Sequence, residues 1–353
     1  MFRNTYIKVN TDHIKTNVMK VISHYPFYQY YFGVVKADCY GHGLKESAGA
    51  VIQGGCNYLA VALLEEALEL RNYFPDIPIL CFGVIDVKNL KVCSLHNITI
   101  TIPSFEYAKK LCHVSFPLKV HIKLNTGMNR LGISTEKEFV NTFSLLKKKE
   151  CIEIEGIYTH FYYASNEETL LKQLNFFKVF LHQIDVSNVK IIHAPASEAI
   201  TLLPQYDFIN GCRLGIIMYG FSADKELKLE STFTLVSQVI QIQELSKGES
   251  VGYNGIYKAV TDHEKIAVVA IGYADGIIRK NTGREVFINN RRYKIVGNVC
   301  MDMLFVKIDK KVKVGDSVVL LKDSSHIEEV ARYLETIPYE ILCSITKRVP
   351  RVY

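Results

Sequence analysis

The chain has two textures, and the first is a repeating one. Through the first 215 residues, short runs of apolar and β-branched residues recur at Phe32–Ala37, Tyr58–Leu63, Ile79–Gly83, Ile98–Ile102, Val120–Leu124, Ile154–His160, Val189–His193 and Phe208–Arg213. Each is short and nearly continuous in its apolar character, as in strands covered on both faces. The stretches between them place apolar residues at three- and four-residue spacing, most clearly over Leu64–Tyr73, Glu138–Lys148 and Leu170–Ile184. That spacing predicts helices. Eight strands alternating with helices read best as an α/β fold of the (β/α)8 TIM-like barrel type, with a doubly wound open sheet as the alternative.

After Leu229 the pattern changes. Thr232–Leu245 alternates polar and apolar residues, and Lys265–Tyr273, Glu285–Asn298, Met303–Ile308 and Ser317–Leu321 are strand-like. Turn signals at Lys247-Gly248, Asn281-Thr282-Gly283, Asn289-Asn290 and Gly315-Asp316 separate them,. The division is therefore a barrel over 1–228 and a mainly β domain over 229–353, with one helix near His326–Glu335. Tyr6-Ile7-Lys8-Val9 also looks like a strand, which lets the extreme N-terminus pack with the second domain.

Composition narrows the function classes. Hydrophobic residues are 48% of 353, enough for a large core, and the net charge of +6 is spread along the chain. The compact basic runs, Lys147-Lys148-Lys149 and Arg291-Arg292, read as solvated turns, so nucleic acid is not an expected partner. No 18-residue apolar stretch or apolar signal core occurs, so neither is a membrane. Nine cysteines with no Cys-x-x-Cys indicate neither a disulfide framework nor a zinc site,. The expected compartment is reducing, hence cytoplasmic, and no metal is expected.

In a barrel of this kind chemistry collects at the C-terminal ends of the strands. The first run ends in Lys36, with Tyr40 and His42 in the loop behind it. The fifth leads into Lys123, Asn125 and Arg130, the sixth ends at Thr159-His160, and the seventh at His193 with Ser197 beyond. The eighth ends in Arg213-Leu214-Gly215-Ile216. Each has a structural alternative: Lys36 a snorkelling strand-end lysine, His160 a satisfied core histidine, Arg130 a helix-start residue, Ser197 a helix cap. Arg213 is harder to dismiss, because a buried guanidinium keeps its charge and needs acceptors. A desolvated lysine amine forms Schiff bases, and backbone N–H groups at the Gly215 turn can meet phosphate oxygens. Together the two ends describe a site for pyridoxal phosphate.

These residues resemble the alanine racemase family. Val35-Lys36-Ala37-Asp38-Cys39-Tyr40-Gly41-His42-Gly43 looks like its cofactor-attachment motif, and Lys123-Leu124-Asn125-Thr126-Gly127-Met128-Asn129-Arg130-Leu131-Gly132 like its second signature. Thr159-His160-Phe161, Arg213-Leu214-Gly215-Ile216 with Tyr219-Gly220, Ile271-Gly272-Tyr273-Ala274-Asp275-Gly276, Cys300-Met301-Asp302 and Arg348-Val349-Pro350-Arg351 follow in the family's order.

The resemblance implies pyridoxal 5′-phosphate as cofactor, Lys36 as its tether and one base, and Tyr273 as the opposite base, supplied by the partner subunit of a homodimer with shared active sites. It implies a supporting network of His160 and Arg213, with Arg213 on the pyridine nitrogen. Tyr40, Ser197, Gly215 and Ile216 are implied at the phosphate. Arg130, Met301 and Asp302 are implied at the substrate, and Lys123 at the position many members carry as a carbamate. The implied reaction is interconversion of L- and D-alanine, supplying D-alanine for peptidoglycan, with a serine or broad-specificity amino-acid racemase of the same fold as the alternative. The chain departs from the family pattern at Ala196, Tyr162-Tyr163, Asn298 and Lys347. These departures bear on substrate size and cofactor affinity and leave the implied bases untouched.

Overall fold

The computed structural model describes residues 2–353. The chain folds as two compact units. One comprises Ile14–Cys39 and Leu44–Glu230; the other takes the chain up to His13, Tyr40–Gly43 and Ser231–Tyr353.

Strand β1 (Tyr6–Val9) opens the chain and belongs to the second unit. The first unit is a closed parallel barrel of β2 (Tyr30–Val34), β3 (Tyr58–Val61), β4 (Ile79–Cys81), β5 (Ile98–Ile102), β6 (Leu118–Lys123), β7 (Ile152–Tyr158), β8 (Ile191–Ala196) and β9 (Gly211–Leu214). Pairing of β2 with β9, from Tyr30↔Gly211 to Gly33↔Leu214, closes the ring. The (β/α)8 reading therefore holds and the open sheet does not. Among the helices, Leu64–Tyr73 lies where the periodicity puts it. Glu136–Lys147 and Glu167–Leu181 start a little earlier than predicted, because Thr135 and Asn166 cap them by accepting the N–H groups of Glu138 and Thr169,.

Rings fill much of the barrel interior, where branched aliphatic layers are usual. Tyr58 stacks on Phe32, Phe32 on His193 and His193 on Tyr158, with centroids 4.4, 4.5 and 4.7 Å apart. Such a polar interior needs room. Gly156 supplies it, since a Cβ there would lie 2.6–2.8 Å from the His121 ring.

The second unit is built on β10 (Phe233–Leu245), a short ribbon of β11 (Ser250–Val251) and β12 (Tyr257–Lys258), then β13 (Glu264–Val269), β14 (Glu285–Ile288), β15 (Arg291–Val296), β16 (Leu304–Ile308), β17 (Ser317–Leu321) and β18 (Arg351–Val352). Its main sheet runs β13-β16-β15-β14-β17-β10-β1-β18, and β10 also pairs with β13. Strand β1 is antiparallel to β10 and parallel to β18. The core between the strands is aliphatic: Leu235, Val239, Ile266, Val286, Ile288, Val306 and Leu320 are all buried.

The stretch Glu285–Asn298 is a hairpin turned at Asn289 and Asn290, where the turn signal lies, both left-handed at φ 50° and 61°, as a two-residue hairpin turn requires. One predicted strand ends differently. Lys265–Tyr273 stops at Val269, and Tyr273 opens a 3-10 turn. The helix Ser324–Tyr333 lies close to its expected place. Pro338–Ser344 is a second helix that the pattern did not show; only its Pro at the first turn is a start signal. Among the described residues, no helix is long and apolar enough to cross a membrane.

Candidate active site

The barrel strand carrying Lys36 does not reach it. Strand β2 ends at Val34, and Lys36 begins a turn in which Ala37, Asp38, Cys39 and Tyr40 all have positive φ, at 51°, 55°, 53° and 55°. Left-handed backbone costs about 1–2 kcal/mol per non-glycine residue, so four in succession must be held from outside. Glu66 holds the start, its Oε1 accepting the Ala37 N–H at 2.6 Å while its Oε2 accepts those of Ala62 and Leu63. The Cys39 N–H donates to Val35 O at 3.1 Å, and the Cys39 side chain is fully buried. In the second unit, Arg351 Nε donates to Gly41 O and His42 Nε2 lies 2.9 Å from Thr232 Oγ1. The turn thus presents a half-buried Lys36 on a fixed backbone.

Arg213 is the centre of the barrel's polar cluster. It is 3% exposed and meets no carboxylate directly. Nη1 donates to His193 Nδ1 at 2.9 Å, and Nη2 to Thr159 O at 2.9 Å, Ala194 O at 2.7 Å and His160 Nδ1 at 3.1 Å. Because arginine only donates, His160 accepts at Nδ1 and carries its proton on Nε2. Burial, then the positive charges of Arg213, Lys123, Arg130 and Lys36, push His160 down to about 3, so it is neutral at working pH. These influences also show that the barrel brings those five predicted residues together.

Lys123 ends β6, buried, with Nζ 5.1 Å from the centre of the Tyr158 ring. Burial, with Arg213 and Arg130 nearby, pushes its amine down to about 7. Arg130 is exposed in the following loop. Asn125 organises that loop by accepting the N–H groups of Gly127 and Asn129.

Ser197 does not cap its own helix. Its Oγ accepts the Gly215 N–H at 3.0 Å and lies 3.5 Å from Ile217 N, so it ties the start of the helix Ser197–Leu202 after β8 to the 3-10 turn Ile216–Tyr219 after β9. Ile216 opens that turn, so its N–H lies outside the helical ladder.

The second unit holds the other predicted residues. Tyr273 is 41% exposed, and its N–H donates to Cys300 O at 2.9 Å. Asp275, fully buried, accepts two bonds from Arg3, at 2.9 and 2.8 Å, and one from Gly272 N at 3.1 Å. Arg348 Nε lies 3.7 Å from Asp275 and Nη2 donates to Asp302 at 2.7 Å. Met301 is 53% exposed beside them. A rigid turn therefore carries Tyr273, Met301 and Asp302 outward on one rim of this unit. Tyr40 is buried with its ring 5.8 Å from that of Tyr339. Of the departing positions, Asn298 is buried and donates to Tyr253 O, whereas Lys347, Tyr162 and Tyr163 are exposed.

Sequence reasoning missed Glu66, Asp275, His121 and Glu155. The last two are buried inside the barrel: His121 Nδ1 lies 3.0 Å from His193 Nε2, and His121 Nε2 lies 3.3 Å from Glu155 Oε2. Their signal was a polar residue at mid-strand in an otherwise apolar run.

The donor set fits pyridoxal phosphate. Arg213 keeps two N–H donors, on Nε and Nη1, that meet no acceptor among the described residues,, and the Nε–H suits a ring nitrogen. The Ser197–Gly215–Ile216 junction offers a hydroxyl and backbone donors to a phosphate. A barrel with a lysine after one strand and such a turn after the strand paired with it is that of a pyridoxal phosphate-dependent enzyme,.

Within that class the chain belongs to the alanine racemase family. The family's model described as "Alanine racemase, N-terminal domain" matches residues 9–223, and "Alanine racemase, C-terminal domain" matches 232–353. Alanine racemase of Halalkalibacterium halodurans is 35% identical over 373 residues, covering 100% of this chain and 95% of its own. Alanine racemase 1 of Bacillus subtilis is 35% identical over 366 residues, covering 100% and 93%. Among solved structures, the alanine racemase of E. faecalis superposes with a TM-score of 0.93 at 33% identity, covering 100% of this chain and 98% of that one. That of Bacillus anthracis with bound L-Ala-P gives 0.91 at 35% identity, covering 100% and 95%.

Proposed function

We propose that this protein interconverts L- and D-alanine with Lys36 and Tyr273 as opposed bases, as a homodimer in which each barrel receives the partner's Tyr273. The reaction supplies D-alanine for peptidoglycan. The observation that carries this reading is the Arg213 cluster: a buried guanidinium that holds a neutral His160 and leaves its Nε–H for a cofactor ring.

When bound, pyridoxal 5′-phosphate supplies the electron sink that makes an amino acid's α-hydrogen removable. The chain's residues do the rest. Lys36 would hold the cofactor through its amine and, once the substrate amine has displaced it, would move a proton on one face of the α-carbon. Tyr273 moves a proton on the other, since racemisation removes hydrogen from one side and returns it to the opposite one. A tyrosine with its ordinary pKa near 10 is a weak base at neutral pH, and His160 with Arg213 forms the network that assists it. Burial pulls Arg213 down only to about 10. It therefore remains charged and, with the cofactor bound, would donate to the ring nitrogen without giving up its proton, so that the sink would be weaker than one with a protonated ring. Ser197, Gly215 and Ile216 would hold the phosphate,. Arg130, with the partner's Met301 and Asp302, closes on the substrate.

The depressed Lys123 amine supports carbamate formation. Its lone pair attacks carbon dioxide, a proton leaves, and the new negative charge holds Arg130. The outward placement of Tyr273 and Met301 supports the shared site, because neither is used by its own unit's core.

Tyr162 and Tyr163, exposed after the His160 strand, favour a second reading, a serine or broad-specificity racemase. Comparing kcat/KM for alanine, serine and lysine decides between them: alanine is expected to be the best substrate, and a better one would sink the first reading. The dimer has its own test. Mixing Lys36→Ala and Tyr273→Phe chains is expected to restore activity through one intact site per heterodimer, and no recovery despite demonstrated subunit exchange would contradict it.

A further inference from the structure

We propose that Glu155 is a positioning residue for Arg213, acting down the barrel through His121 and His193 along a chain of hydrogen bonds that can run in only one direction. The proposal rests on the reading of Arg213 as the residue facing the cofactor ring, and it concerns what holds that guanidinium in place.

The direction follows from donor chemistry. Arg213 has no acceptor, so the 2.9 Å contact from Nη1 makes His193 Nδ1 the lone-pair nitrogen. A neutral His193 then carries its proton on Nε2 and donates across 3.0 Å to His121 Nδ1. His121 must in turn carry its proton on Nε2, which faces Glu155 Oε2 at 3.3 Å. The reverse arrangement would set an N–H of His193 against one of Arg213. The chain starts at an obligatory donor and ends at a group that, when ionised, only accepts, with two imidazoles fixed between them.

The rings cannot turn to escape this order. His193 is sandwiched between Phe32 and Tyr158, with interplanar angles of 18° and 10°. His121 fits only because residue 156 is glycine. Tyr58 Oη donates to the same Glu155 oxygen at 2.7 Å, anchoring the far end.

The charges agree with the geometry. Burial holds His121 and His193 below the ordinary histidine range, so both are neutral. Burial alone would raise the Glu155 carboxyl, but its bonds from His121 and Tyr58, with positive charge nearby including Lys119, hold it low, hence ionised, and Lys190 Nζ lies 3.9 Å from its Oε1. A cation and an anion are thus joined through two neutral rings. The carboxylate strengthens His193 Nδ1 as an acceptor, which fixes the Arg213 plane and the aim of its Nε–H.

The test begins with the full-length holoenzyme, its histidines 15N-labelled. Ring-nitrogen NMR, assigned with His121→Gln and His193→Gln, is expected to show both residues neutral with the proton on Nε2. A proton on Nδ1 of either ring would overturn the proposal without any variant. This readout stands even if alanine proves to be the wrong substrate, so the two failures are distinguishable. Glu155→Leu, which removes the acceptor, is expected to lower kcat by about 10–100-fold, the range for groups that orient a functional residue from behind. KM should stay near its original value, and the cofactor's absorbance should shift. Glu155→Gln, whose carbonyl can still accept from His121, is expected to recover most of that loss. Unchanged kcat and absorbance in both variants would refute the positioning role. Should Glu155→Leu fail to fold, the wild-type tautomers and Glu155→Gln still decide the matter.

Discussion

The two units keep their polar chemistry in opposite places. In the barrel it lies inside: His121, His193, Glu155, Arg213 and Lys123 are buried among aromatic rings. In the second unit the core between the strands is mainly aliphatic, with buried polar groups such as Asp275 and Arg284, and the functional tyrosine stands on the rim, 41% exposed. A buried polar interior costs free energy unless its donors meet acceptors, and the barrel satisfies its histidines and Glu155 with a directed chain while leaving the Arg213 Nε–H for a ligand. The rim has no such constraint, but its turn must be rigid to place one hydroxyl, and Asp275 with Arg3 supplies that rigidity. One unit therefore tunes charge and the other delivers a group.

The largest effect that would sharpen this contrast is loss of the delivered group. Tyr273→Phe is expected to lower racemisation by about 10²–10⁴-fold, the usual range for a general acid or base. The cofactor's absorbance should persist, because the barrel holds it. Steady-state rates with a visible spectrum check both halves. Near-normal turnover would remove Tyr273 as a base.

Acid should separate the units next. His160 is held at about 3 in the fold, whereas an unfolded histidine takes its proton near 6.5. Between those values the unfolded chain binds more protons, so stability falls as pH drops from 6.5 towards 3. His121 and His193 are depressed in the same direction and add to the effect, whereas the second unit buries His326, pushed down to about 4 by burial and then Arg284. Hydrogen exchange between pH 7 and 4.5 is expected to loosen β6–β9 before β13–β17. Earlier loosening of the second unit would break the comparison.

Packing predicts smaller differences. Gly156→Ala forces a Cβ against the His121 ring and is expected to cost about 1–3 kcal/mol, as overpacking does, seen as a lowered denaturant midpoint. Gly248→Ala meets no atom within 4 Å at φ 90°. It should lose only about 1 kcal/mol, from the left-handed backbone alone. Equal losses at the two sites would mean that the barrel interior is less tightly packed than its contacts imply.

How much of this was legible beforehand follows the same division. The barrel's eight strands stood out because parallel strands are apolar on both faces, and Lys36, His160 and Arg213 stood out because they end such strands. The left-handed turn did not. Nothing in Ala37-Asp38-Cys39-Tyr40 asks for positive φ; the conformation is imposed by burial of Cys39 and by Glu66, which lies far away in sequence. His121 and Glu155 were obscured for another reason. They sit mid-strand, where a barrel points alternate residues inward, so His121 shares an inward face with Lys123, two residues on. Tyr273 was legible as a motif, but the end of its strand at Val269 was not, because the turn that follows depends on contacts with Cys300 and Met301.

The most direct test of the central claim, two bases on opposite faces from two differently built units, is α-hydrogen exchange by Tyr273→Phe in deuterated water. With Lys36 intact, one enantiomer of alanine is expected to take up deuterium while neither converts to the other. Racemisation at the wild-type rate, or deuterium entering both enantiomers equally, would contradict the account.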